Sequence, residues 1–225
     1  MYFLIFIFGA ILCILEDKRH RLLILYTMIL TALASFRYGI GPDYFSYEYL
    51  YHLLKTPVLN ELKHSYVSNQ EVLFRIIGSL IKNLGIQYQV YISIFATVNL
   101  VYIAKTCKKY SSRPIMSLFF YYSFFFFVWT CSGIRQGITL AVGMYYYLQY
   151  IENGKKTKFI IITIILSLIH LSALTLLLFM LIRKCNFTRK SLVIISICSI
   201  LIGMLPINKF VMVFIDFPIV KKIVA

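Results

Sequence analysis

The sequence predicts an all-α, polytopic integral membrane protein of about seven transmembrane helices, with one amphipathic helix on the outer surface. Three observations carry that prediction. Apolar residues make up 60% of the 225 positions and charged residues 14%, with a mean hydropathy of +0.82, against roughly 25% charge in soluble domains. The apolar residues fall into long runs, as hydrocarbon requires of helices that must satisfy their own backbone groups. Lys and Arg outnumber Asp and Glu by 23 to 8, yet they sit in small groups between the runs and form no basic groove. They read as topology signals, and a nucleic-acid surface is excluded.

A spanning helix needs about 20 apolar residues. The candidates are 1–15, 22–36, 86–104, 114–133, 136–151, 159–181 and 191–208, arranged as a single transmembrane domain over 1–225. The first run, MYFLIFIFGAILCIL, is followed by its charges and shows no small-residue cleavage site, so it reads as a retained helix. Lys18, Arg19 and Arg21 lie between the first two runs, Lys105, Lys108, Lys109 and Arg113 follow the third, and Lys155, Lys156 and Lys158 follow the fifth. Placing all three groups inside puts the N-terminus and the 37–70 stretch outside.

Only an odd number of crossings then joins residue 70 to residue 105, so 71–85 is assigned to the outer surface. Its Val72, Leu73, Ile76, Ile77, Leu80 and Leu84 share one helical face, with Arg75, Ser79, Lys82 and Asn83 largely on the other. A short tilted span is the alternative. An unbroken helix over 159–181 would export Arg183, Lys184, Arg189 and Lys190 against the positive-inside trend. Either that helix breaks near Ser172 and turns back, or the rule fails there. The C-terminal FVMVFIDFPIVKKIVA, with Asp216 and Pro218, reads as a surface or half-inserted segment.

No phosphate-binding GxxxxGK[ST], HExxH, GxSxG or dinucleotide fingerprint occurs. The five scattered cysteines suit neither a disulfide framework nor a metal site. What remains are polar residues at or within the apolar runs, where they are costly to place. In RYGIGPDYFSYEYLY, Gly39, Gly41 and Pro42 force a turn, and Asp43 is placed to cap a helix starting near Tyr44. Arg37 is either a snorkelling anchor or a phosphate ligand. Tyr44, Tyr47 and Tyr51 share a face that suits an interface belt or sugar stacking. Arg135 and Gln136 occupy a short connection between two apolar runs, on the outer side. His170 lies deep in IILSLIHLSAL, either as a packing residue or as a proton acceptor.

The motifs RYGIGPDY at 37–44, EVLF at 71–74, IRQGI at 134–138 and LIHLSAL at 168–174, in that order, resemble the EpsG-like group of bacterial exopolysaccharide polymerases, relatives of the Wzy O-antigen polymerases. The resemblance covers about residues 20–185 and implies a GT-C-like fold. The implied activity is glycosyl transfer that joins polyprenyl-pyrophosphate-linked oligosaccharide repeats at the outer face of the bacterial cytoplasmic membrane, without metal or cofactor. Membrane lipid, a flippase and a chain-length regulator are the implied partners. Arg37 and Arg135 would hold the pyrophosphate, and His170 or Asp43 would take the proton of the attacking hydroxyl. Tyr44, Tyr47, Tyr51, Glu71 and Gln136 would contact substrate. Family members run on through further spans, so a copy shortened at its C-terminal end is expected.

Two other classes compete. A flippase or transporter for the same lipid-linked glycans would show internal repeats, and none is evident. A membrane O-acyltransferase acting on glycans would also use an intramembrane histidine, but with an acidic or histidine partner in the buried spans, and none lies near His170 in the sequence. The topology is testable in intact cells. In a variant without native cysteines, an impermeant thiol reagent should modify Ser46→Cys and spare Ser111→Cys, and labelling at 111 alone would invert the assignment.

Overall fold

The computed structural model describes residues 1–15, 20–67 and 69–204. Lys18, Arg19 and the segment holding Asp216 and Pro218 lie outside the described residues. The chain divides into two compact units, Met1–Phe179 and Met180–Ala225, and among the described residues every regular element is helical.

The first unit contains α1 (Tyr2–Ile14), α2 (Arg21–Ser35), α3 (Tyr44–Leu53), α4 (Val58–His64), α5 (Val72–Asn83), α6 (Tyr88–Tyr110), α7 (Pro114–Phe124), α8 (Ile134–Asn153) and α9 (Lys156–Ser167). Helix α10 (Thr175–Ile182) crosses the boundary, and α11 (Arg189–Met204) belongs to the second unit. Of the described helices, α6 alone is long and apolar enough by itself to cross a bilayer. Its 23 residues reach about 34 Å at 1.5 Å per residue. Helix α7 and the π-helical segment Phe126–Ser132 pass that test only together, bent by 73° at their junction. The expected runs at 1–15 and 22–36 appear as shorter apolar helices of 13 and 15 residues.

Contacts at the helix ends fix the directions. Tyr122 donates to the Tyr2 carbonyl at 2.8 Å and Arg113 to the Cys13 carbonyl at 3.0 Å, so α1 and α7 are antiparallel. Ser93 donates to the Ser35 carbonyl, which sets the end of α2 beside the start of α6. Lys109 pairs with Glu152, bringing the ends of α6 and α8 together. One end of the unit therefore gathers Lys105, Lys108, Lys109, Lys155, Lys156 and Lys158. The other carries residues 37–89 and the start of α8.

Close backbone approach makes the middle possible. A methyl group on Gly137 would sit 1.8 Å from the Trp129 carbonyl oxygen, so only glycine lets α8 meet the π-helical segment. That segment is also held to α6 by hydrogen bonds. Thr130 donates to the Asn99 side-chain oxygen at 3.0 Å and Tyr121 donates to it at 2.9 Å.

The 159–181 run is broken. Helix α9 ends at Ser167, a 3-10 turn spans Leu171–Leu174, and α10 follows. Leu166 and Leu176 would both lie within 4 Å of a methyl at Gly143, although ten residues of straight helix cover about 15 Å. Phe159 and Phe179 likewise both pack on Tyr147, at ring distances of 5.6 and 5.8 Å. The chain therefore reverses, which decides between the two alternatives left by the sequence. A short bis-maleimide should join Phe159→Cys to Phe179→Cys within one cysteine-depleted chain. Failure to link them, with both thiols reactive, would mean a continuous helix with these residues about 30 Å apart.

Candidate functional site

The 71–85 segment is an amphipathic helix as expected, but its inward face is mixed. Phe74, Arg75, Gly78 and Ser79 are buried and Leu73 and Ile77 pack on the core, whereas Val72, Leu80, Asn83 and Leu84 face outward. Arg75, Ser79 and Lys82 turn inward because each finds a partner there. Ser79 donates to the Lys55 carbonyl at 2.6 Å, and Lys82 donates to the His52 and Leu54 carbonyls, each at 2.6 Å. Arg75 pairs with Glu61 at 3.2 Å, and Glu61 is 0% exposed. Glu61 also accepts from the Lys55 backbone N–H at 2.8 Å and from Ser65. Removing one partner alone from such a pair leaves a buried charge, at about 3–5 kcal/mol.

This brace carries the loop before α5. Arg75 Nε donates to the Gln70 carbonyl at 3.1 Å, holding Gln70 and Glu71 toward the start of α8. There Arg135 Nη1 donates to Glu71 Oε2 at 2.6 Å and to Gln70 Oε1. Its Nε reaches the Tyr47 hydroxyl at 3.4 Å, and its guanidinium lies 5.2 Å from the Phe74 ring centre. The other Glu71 oxygen takes the Leu171 N–H at 3.1 Å and lies 2.8 Å from His170 Nδ1. A backbone hydrogen bond from Leu73 to Leu168, 2.9 Å, fastens the same two segments.

His170 is therefore not within a helix. It stands at the reversal between α9 and the 3-10 turn, in extended conformation. Glu71, Arg135 and His170 are each partly exposed, between 20% and 26%. Burial raises the Glu71 pKa, but the hydrogen bonds from its own N–H, from Leu171 and from His170, together with the Arg135 charge, outweigh it and leave the value lowered. An ionised carboxylate can only accept. His170 Nδ1 thus carries the proton toward Glu71, and Nε2 is the ring nitrogen that does not face the carboxylate.

Arg37 stands apart. It is 3% exposed, its Nη1 donates to the Ala34 carbonyl at 2.7 Å, and its Nε has no hydrogen-bond partner. Among the described residues it makes no ion pair. The turn after it presses on the chain just before Arg135: a methyl on Gly41, which has φ +96°, would lie 2.7 Å from the Cys131 carbonyl oxygen. Asp43 does occupy the N-cap position of α3 but makes no side-chain cap. Its carboxylate instead accepts from Ser132 Oγ at 2.7 Å.

Tyr44, Tyr47 and Tyr51 do share one face of α3, and that face is core. All three are buried. Tyr44 and Tyr51 pack edge-on or tilted against Tyr88, and their hydroxyls donate to Gln89 and to the Ile86 carbonyl. Tyr44 and Tyr51 also reach the wall of a cavity between α3 and the connection from α5 to α6. Gln136 is partly buried, and its backbone carbonyl accepts from Thr139. The structure thus joins Arg135, Glu71, His170 and Tyr47, ties Asp43 to the neighbouring turn, and leaves Gln136 outside the Glu71 network. Sequence reasoning missed Gln70, Glu61 and Arg75. Only the placement of charges beside an apolar helix hinted at the last two.

Two cavities, of 640 and 570 Å³, are apolar grooves elsewhere, lined by α2 with α6 and by α6 to α8 with α10. Neither includes Glu71, Arg135 or His170. A family model described as the EpsG family matches residues 20–225. No curated protein and no solved structure matches the chain.

Because its folded pKa is lowered, Glu71 contributes stability above the ordinary value of 4.5, and loses it as pH falls through the folded value. Thermal melting of Glu71→Gln should therefore fall furthest below the parent at neutral pH and converge with it in acid. A gap constant with pH would contradict the assigned charge.

Proposed function

Since the chain belongs to the EpsG family, we propose that it is a multi-pass membrane glycosyltransferase of the polysaccharide-polymerase kind. It joins polyprenyl-pyrophosphate-linked oligosaccharide repeats at the outer face of the bacterial cytoplasmic membrane. The observation that carries the reading is the Glu71–His170 pair beside Arg135, at the end of the unit opposite the lysine groups 105–109 and 155–158. That charge segregation supports an extracytoplasmic site by the positive-inside trend. Outward-facing Phe3, Leu4, Ile161 and Ile164 support contact with lipid.

In the proposed reaction an acceptor hydroxyl attacks the anomeric carbon of the donor sugar. Its proton passes to His170 Nε2 while Glu71 holds the Nδ1 proton and steadies the imidazolium. The bond from the anomeric carbon to the pyrophosphate oxygen breaks, and the lipid pyrophosphate leaves. Arg37 suits that leaving group because it is a buried guanidinium with a free Nε and no carboxylate beside it. Arg135 is already paired with Glu71, so its larger part is to orient the carboxylate. Flippase and chain-length-regulator partners, and the GT-C-like class, belong to the same proposal.

One observation favours a second reading. Glu71 supplies the acidic partner for His170 that an O-acyltransferase on glycans would use. The free cation at Arg37 favours a pyrophosphate donor over a neutral acyl donor.

Transfer between purified lipid-linked repeats separates these. Arg37→Lys keeps the charge but loses the planar fork, and should lower the rate on the order of a hundredfold, the effect of removing one preorganised donor. His170→Gln should do at least as much, while Lys105→Arg, at the lysine end, should be nearly silent. Normal polymer from Arg37→Lys and His170→Gln, at unchanged protein level, would sink the proposal.

A further inference from the structure

A cavity of about 500 Å³ opens between α3 and the connection from α5 to α6. It differs in chemistry from the two apolar grooves, which suit lipid chains. Tyr38, Glu48, His52, Lys82, Gln87 and Gln89 contribute to its wall. We infer that this cavity is a saccharide subsite, holding sugar units of the repeat that are remote from the bond being made. The inference rests on the glycan reading above and names a place for the part of the substrate which the Glu71 cluster does not touch.

The wall is braced by groups already committed. Lys82 is held by the His52 and Leu54 carbonyls. Gln89 accepts from Tyr44 at 2.8 Å and donates to the Arg37 carbonyl at 2.9 Å. Among the described residues the side chains of Glu48, His52 and Gln87 and the Tyr38 hydroxyl make no hydrogen bond. The Tyr38 ring is 75% exposed. Fixed walls with unshared acceptors and donors are preorganised for a ligand rich in hydroxyls. One carboxylate and one ammonium group, the latter already donating to two backbone carbonyls, favour a neutral ligand over a phosphate or a cation. An exposed aromatic ring suits the apolar C–H face of a sugar.

Position supports the same occupant. Glu48 and His52 lie at i and i+4 on α3, facing the cavity, while Tyr47 on the same helix reaches Arg135. The cavity and the Arg135–Glu71–His170 cluster are thus reached from one helix, α3, by neighbouring residues. Gln89 also ties the cavity wall to the backbone of Arg37, so occupancy at one place is mechanically linked to the other.

The test uses the full chain in nanodiscs and two measurements. The first is binding of the repeat oligosaccharide, released from its lipid by mild acid, followed by saturation-transfer NMR. The expected result is saturable binding that Glu48→Gln and Tyr38→Ala each weaken about tenfold, that His170→Gln leaves intact, and that inorganic pyrophosphate does not displace. The second is transfer from lipid carriers bearing either the whole repeat or a single sugar. Both wall variants should raise KM for the whole repeat several-fold and leave the single-sugar donor unchanged. Unchanged binding and KM in both variants, with normal transfer by the parent, would overturn the subsite and spare the transferase reading. Displacement by pyrophosphate would likewise overturn it, in favour of an anion site. Selective oligosaccharide binding without any transfer by the parent would support the subsite while removing the transferase reading.

Discussion

The Glu71 carboxylate is the interaction on which the rest of the site depends. One oxygen takes Arg135 and the other takes the His170 ring and the Leu171 N–H. Three segments far apart in the chain are therefore registered by a single group at a helix start. None of the three alone would be stable in its present setting. Arg135 would be a half-buried cation without a counter-charge, and the reversal at His170 would leave the Leu171 N–H without this partner. The sharing also points His170 Nδ1 at the carboxylate, which links a folding contact to the proton transfer proposed for the ring.

Behind that carboxylate lies a second, deeper pair. Glu61 and Arg75 form an ion pair with additional donors on Glu61, the condition under which a buried pair is tolerated. Arg75 then passes its Nε to the Gln70 carbonyl, so the loop presenting Glu71 is held from below. This explains why Arg75 and Ser79 of α5 are buried beside Leu73 and Ile77. Polar groups with partners in the protein can share the inward face of a helix with its apolar side chains.

The two cationic groups implied by the family resemblance have different electrostatic states. Arg135 is neutralised by Glu71, whereas Arg37 is buried with an unshared Nε. Two tight approaches, Gly41 on Cys131 and Gly137 on Trp129, bring the segments bearing these arginines against the same bent π-helical stretch. Helical geometry with a bend supplies the site, and no strand is involved among the described residues.

Much of this was legible in the sequence for a physical reason: hydropathy and charge act locally. The helical class, the conflict posed by an unbroken 159–181 run, and the candidacy of Arg37, Arg135 and His170 all follow from the cost of placing particular side chains next to apolar runs. Burial of Tyr44, Tyr47 and Tyr51 was not legible, because a belt, a sugar platform and a core stripe share one spacing. Nor was the Asp43 contact with Ser132, 89 residues away. The pairing of Glu71 with His170 joins residues 99 positions apart. No periodicity encodes such a distance, and only the folding back of α10 toward α9, against Gly143 and Tyr147, sets it.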